Sequence, residues 1–281
     1  MRVSFVISSF VASVLVTGTA AAQCVVDKSS NEAKLLAYYA APLVFSPSGS
    51  LTPLKAGSLR LGFDVTLIPA PRDELRHTNK CFLPKDENSQ LSPVFPRPHI
   101  TLGLPGGLFL EGMYLPPVTV MDATPNMGSL ALGWIRSINA KVGVALRAHT
   151  TLGHVKGPIT CDLSALQSSN PNGACYGDAV SEDTYKPNAV GGDVSVLVKQ
   201  GEKFNWYAGG GFSSYKPRFQ VGFQPRNTAY DSTRVEVDLT RVALQAGGAY
   251  KLSRKVAVAV ELYSVPQDMT TLRFGGTWLV R

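Results

Sequence analysis

Beyond Gly57 the chain repeats one pattern ten times: apolar side chains at every second position, with small or polar residues between them. In the first segment Leu59, Leu61, Phe63, Val65 and Leu67 alternate with Arg60, Gly62, Asp64 and Thr66. The second sets Ile100, Leu102 and Leu104 against His99, Thr101 and Gly103, and the third, Leu108 to Tyr114, carries Glu111 on its other face. The fourth opposes Leu130, Leu132 and Trp134 to Ser129, Ala131 and Gly133; the fifth opposes Val142, Val144, Leu146 and Ala148 to Gly143, Ala145, Arg147 and His149. Val194, Val196 and Val198 against Asp193 and Ser195 form the sixth, and Trp206 to Phe212 against Asn205, Gly209, Gly211 and Ser213 the seventh. The last three run over 241–250, 256–262 with Glu261 on the minor face, and 272–280 with Arg273 on the minor face. A period of two marks an extended strand whose faces meet different surroundings.

Several segments approach the roughly 9–11 residues that a tilted strand needs to cross a bilayer. After residue 22 no stretch is apolar for the roughly 18 residues that a spanning helix requires. Since only helices and closed barrels satisfy every backbone group in lipid, the pattern predicts an all-β fold. That fold is a transmembrane, antiparallel, up-and-down barrel of about ten strands with the apolar face outward. A soluble sandwich or lipocalin-like barrel would bury the apolar face and show water a surface rich in Lys and Glu. Here the other face is mostly Gly, Ala and Ser, and its charges (Arg60, Asp64, Glu111, Arg147, Asp193, Glu261 and Arg273) are the candidate lumen-lining residues. The connections alternate as well: Pro105-Gly106, 137–139, 200–202 and 252–254 are short, whereas 69–98, 115–127, 155–188 and 216–234 are long and polar. Short turns on one side and long loops on the other are the habit of outer-membrane barrels. One break in phase, between Val235, Val237, Leu239 and Val242 onward, calls for a bulge near Thr240 or an extension beyond the membrane.

Ahead of the barrel, Arg2, the apolar run 5–16 and Ala20-Ala21-Ala22 read as a secretory signal peptide over residues 1–22. Residues 23–56 form a separate N-terminal segment, and the barrel occupies 57–281. Within that segment Asn31 is the expected N-cap of a helix over 32–41, with Pro42 as its stop. The net charge of +7, which includes Arg2, is not gathered into any run of five or six like charges. Nucleic acid is therefore not an expected partner, and anionic lipid headgroups are.

The final segment, Arg273-Phe274-Gly275-Gly276-Thr277-Trp278-Leu279-Val280, resembles the assembly signal of bacterial outer-membrane β-barrel proteins. Arg281 stands where such signals usually end in an aromatic residue. Together with the strands, the chain resembles the uncharacterised barrels of that class that begin with a short helix. The resemblance implies the outer membrane of a Gram-negative bacterium, periplasmic termini, outer-membrane lipid as surroundings, and insertion by the barrel-assembly machinery.

Cys24, Cys81, Cys161 and Cys175 enter an oxidising compartment, where disulfides are expected and three pairings are open. Cys161 and Cys175 share one long loop, so a local bridge is the simplest; Cys24 and Cys81 remain for each other. That second bridge would draw residues 25–56 through the lumen as a plug, since Cys81 belongs to the first outer loop. A periplasmic helix with other pairings is the alternative. Neither a cofactor nor a metal is expected, because the Cys and His spacings give no tight ligand cluster. His77, His99, His149 and His154 lie near the outer rim in this reading, without a nucleophile motif beside them. The expected function is passage of small or hydrophobic solutes. The alternatives are a structural or surface-interaction barrel acting through its long loops, and a rim-located hydrolase. No solute or protein partner is named by the sequence.

Overall fold

The computed structural model describes residues 23–47, 49, 52–75 and 92–280. The signal segment, His77 and Cys81 lie outside the described residues. In chain order the elements begin with β1 (Gln23–Val25), α1 (Asn31–Leu43), β2 (Leu59–Leu67), β3 (Val94–Gly103), β4 (Leu108–Leu115), β5 (Thr124–Ser137) and β6 (Val142–Gly157). They continue with β7 (Asp183–Lys186), β8 (Ala189–Gln200), β9 (Phe204–Tyr215), β10 (Arg218–Gln220), β11 (Arg234–Glu236), β12 (Leu239–Lys251), β13 (Val256–Val265) and β14 (Met269–Leu279).

Ten of these strands, β2 to β6, β8, β9 and β12 to β14, pair antiparallel in sequence order. The ring is closed by β14 on β2 and by β8 on β6. The barrel leaves no open edge in its wall, which is what lipid demands of a sheet. Strand β6 outruns β8: residues 142–151 pair with β8, whereas 155–157 pair with β7. From there β7, β10, β11 and β1 build a small sheet beyond the long-loop end, β1 lying parallel to β11.

The side chains on even positions of β8 and β12 and their counterparts elsewhere face outward; Leu130, Leu146, Val194, Val242, Val258 and Leu262 are all exposed. A continuous belt of exposed Leu and Val is stable only against hydrocarbon. Trp134, Trp206 and Trp278 cluster toward the short-turn end, where amphipathic rings meet headgroups. The indole nitrogens of Trp134 and Trp206 donate to Gly106 O and Gln200 Oε1 at 3.1 and 2.7 Å.

Three features correct the sequence expectation or decide between its alternatives. Strand β3 starts at Val94 instead of near His99, although it contains Pro96 and Pro98. Its ladder to β4 stops at His99–Met113, so both prolines fall where only β2 is paired and a missing N–H costs little. The phase break before Val242 is the expected extension beyond the membrane and not a bulge: Val235 of β11, Val237, and Leu239, Arg241 and Gln245 of β12 are all buried, and the β12 ladder to β9 is unbroken. What changes along this series is its surroundings, an apolar core at the loop end and a polar lumen within the membrane. The helix is capped by Ser30, whose Oγ accepts from Ala33 N at 3.1 Å, and it carries Pro42 within its last turn. Val44 N closes that turn on Ala40 O at 3.1 Å.

From Leu35 onward helix α1 is buried on every side, in the main apolar core at the long-loop end. Tyr185 Oη donates to Leu36 O at 2.8 Å, Tyr38 Oη to Pro69 O at 2.6 Å, and Asn31 Nδ2 to Glu74 O at 2.9 Å. The helix is thereby tied to β7 through one of its carbonyls and to the first loop through two of its side chains. After Val44 the chain runs inside the barrel toward the short turns. Gly57 N and Ser58 O bond to Gly103 at 2.8 Å each, and Gly57, at φ +76, makes the left-handed turn that sends the chain up into β2.

Candidate functional site

Inside the membrane span the inward faces meet residues 45–47, and the charged side chains converge on them. Arg147 on β6 donates from Nη1 to Phe45 O at 2.6 Å and lies 4.6 Å from the centre of the Phe45 ring. Phe45 N in turn donates to Thr151 Oγ1 at 3.1 Å. Arg273 on β14 donates to Ser46 Oγ at 2.6 Å, and Arg97 on β3 to the same oxygen at 3.3 Å. The stem below the helix is thus gripped by three strands.

These arginines are links in one chain of contacts around the lumen. Arg147 stands 3.5 Å from Asp193 on β8 and 3.1 Å from Glu111 on β4. Glu111 Oε1 meets His99 Nδ1 at 2.8 Å, and His99 Nε2 faces Asp64 Oδ2 at 3.6 Å. Asp64 lies 3.5 Å from Arg97 Nη2, an ion pair without hydrogen-bond geometry. Ser46 bridges Arg97 to Arg273, and Arg273 ends the series on Glu261 at 3.1 Å. Three guanidinium groups and an imidazole therefore face four carboxylates, nearly all excluded from solvent. Charges so buried persist only when paired and hydrogen-bonded, so each link depends on its neighbours.

Of the residues read as lumen-lining, Asp64, Glu111, Arg147, Asp193, Glu261 and Arg273 belong to this network. Arg60 lies lower, toward the short turns, and donates to Thr52 O and Oγ1 at 3.2 and 2.9 Å. Three members were absent from the sequence reading: Arg97, His99 as a lumen residue, and Ser46. His99 sits well inside the barrel, because β3 begins five residues before it.

Among the described residues, four inward glycines have their space filled by a side chain across the sheet. Directly opposite Gly62 in register is His99, and its ring fills the place of the missing side chain. Phe109 does the same over Gly133, Tyr207 over Gly247, and Asp64 over Gly275. Between the stem and the wall of β3 to β5 there remains a cavity of about 30 Å³, lined by Pro47, Thr52, His99 and Phe109. That is room for about one water molecule.

Of the four histidines, three lie among the described residues, each in different surroundings. His149 Nε2 is 3.5 Å from Ser213 Oγ across Gly191, but among the described residues its Nδ1 has no hydrogen-bond partner. No carboxylate orients it as a general base, and His99 is committed to Glu111 and Asp64. His154 lies further along β6, toward the loops.

At the long-loop end Cys161 and Cys175 are bridged. Cys24 is disulfide-bonded as well, and its expected partner Cys81 lies outside the described residues. Beside the Cys161–Cys175 bridge, Asp183 is fully buried. Its carboxylate accepts from the backbone N–H of Ile159, Thr160 and Gly222 at 2.9, 2.6 and 2.9 Å, and from Ser181 Oγ at 2.8 Å.

No family model matches the chain, and no curated protein matches it. Several solved structures are similar in fold. The attachment invasion locus protein Ail of Yersinia pestis shares 10% identity, covers 80% of this chain and 99% of its own, and gives a TM-score of 0.35. The KdgM porin shares 9% over 78% and 98%, at 0.33. The P. putida toluene transporter TodX shares 12% over 89% and 71%, at 0.31. At these identities and scores the likenesses carry no argument, and the barrel rests on its own strand pairing. The closed wall and its apolar belt make this chain a transmembrane β-barrel of the outer-membrane type.

Proposed function

We propose that this protein is a sealed barrel that serves as a rigid membrane platform for its outer loops, which act on a surface partner. The observation that supports this is the grip of Arg147, Arg97 and Arg273 on Phe45 and Ser46, beside a stem-to-wall cavity with space for about one water. A standing pore would need that path clear. The ordered outer sheet β7, β10, β11 and β1, with its disulfide, is the kind of surface that can hold a fixed shape for recognition. Planar-bilayer recording tests the reading. The full-length mature chain is expected to stay silent at moderate potentials, and a variant lacking residues 23–56 to open. Steady conductance from the full-length chain would sink the proposal.

One observation favours a second reading, gated passage of a small solute: the groups that hold the stem are themselves charged and would line a polar path if it withdrew. Under that reading an engineered disulfide between stem and wall abolishes uptake of the solute. Under the first reading it leaves loop-dependent binding unchanged.

A further inference from the structure

The short-turn end of the barrel carries a concavity of 970 Å³ that neither reading uses. Its floor is the lower stem, residues 52–57, and its walls are the turns around 202–203 and 252–255 with Thr277 and Leu279 of β14. Six cationic side chains line it: Lys55, Arg60, Lys203, Lys251, Arg254 and Lys255. Glu202 is the one acidic residue in that lining. Among the described residues, none of the five cations other than Arg60 has an ion-pair partner. Arg60 reaches the floor, where it holds Thr52.

Like charges gathered in a concave, low-dielectric wall repel one another and focus a positive potential into the space they enclose. Arg136, Lys141 and Lys199 stand elsewhere on this rim, as headgroup anchoring alone would place them, whereas the vestibule gathers six cations around one space. Here ammonium and guanidinium groups surround one cavity, an arrangement suited to an oxygen-rich anion of more than one charge. The volume exceeds a bare inorganic phosphate and lies in the range of small-molecule sites.

We propose that this vestibule binds a phosphate-bearing anion from the periplasmic side, either the headgroup of an anionic phospholipid or a soluble phosphate ester. The inference is independent of how the outer loops are used. Because the floor is the stem, a bound anion would contact Lys55 and so meet the segment that seals the lumen.

The full mature chain is placed in nanodiscs of zwitterionic lipid and titrated with inorganic pyrophosphate by calorimetry. In a second arm it is exposed to vesicles containing phosphatidylglycerol, and retained lipid is read by native mass spectrometry. The double variant Lys203→Gln/Lys255→Gln removes two charges from the cavity. Lys141→Gln/Lys199→Gln removes two from the same end of the barrel outside it, and heat-dependent gel migration confirms that both fold. Binding weakened about tenfold by the first pair and less than about twofold by the second supports the site. The responding arm identifies the source, free phosphate or headgroup. Failure of both arms, or equal losses from the two pairs, would overturn the proposal.

Discussion

Arg147 and Phe45, 102 residues apart in sequence, meet twice: the guanidinium donates to the Phe45 carbonyl at 2.6 Å and covers its ring at 4.6 Å. One residue therefore links the wall to the stem by charge, hydrogen bond and ring contact together. Arg147→Met would strand Glu111 and Asp193 in the lumen without their shared cation. The expected cost is about 3–5 kcal/mol, read as unfolding free energy in urea from detergent micelles. A change below about 1 kcal/mol would show that the stem is held by something else.

Facing can be tested by paired substitutions. Val258→Arg or Val144→Arg, on the lipid side, should cost about 2–4 kcal/mol. The same change at Ala145 or Ala259 would be milder only if the lumen had room. It is filled: Ala145 packs with Phe109 and Ile135, and Ala259 with Leu197, Tyr207 and Ala249. Ala145→Arg and Ala259→Arg should therefore be at least as costly as their lipid-facing neighbours, by overpacking and charge burial. Clearly smaller losses at both would mean an open interior.

Asp183→Ala removes the acceptor for three backbone N–H groups, each worth about 1–3 kcal/mol when left unsatisfied. The outer sheet should loosen while the barrel stays closed. Limited proteolysis should then cut within 158–188, with heat-dependent gel migration unchanged. Resistance equal to the wild type would show that the Cys161–Cys175 bridge suffices alone.

Acid should loosen one outer contact. The hydrogen bond from Arg226 holds the Asp178 carboxyl below its ordinary 3.8. A depressed carboxyl contributes stability that is present above the unfolded value and lost as pH falls through the folded one. Below about pH 3.8 amide exchange around 168–178 should accelerate. Asp178→Asn should show the faster exchange already at neutral pH, with no further step on acidification. Identical profiles for the two proteins would refute the link.

The wall was legible in the sequence because a strand's period of two is a property of the backbone, and lipid on one side leaves no freedom in which face is apolar. The lumen network was only half legible. Arg97 escaped because Pro96 and Pro98 flank it, and prolines ordinarily disqualify a strand. Ser46 escaped for a different reason: it sits in an extended stem with no period, and its role comes from Arg97 and Arg273, which are remote in sequence. Strands β7, β10 and β11 are three or four residues long, too short to carry a pattern. Glycines on the inward face read as empty space, since a sequence does not say which neighbour leans across.

The pairing of each inward glycine with the side chain that covers it has a consequence for assembly. Sliding one strand past its neighbour by two residues keeps every apolar side chain in lipid, so the membrane cannot oppose that error. The lumen can. A slip of two between β2 and β3 would set the His99 ring against Arg60 or Asp64 in place of Gly62, and similar slips would dislodge Phe109 from Gly133 and Tyr207 from Gly247. The glycines act as notches, each cut for one opposing side chain, and fix a stagger to which hydrocarbon is indifferent.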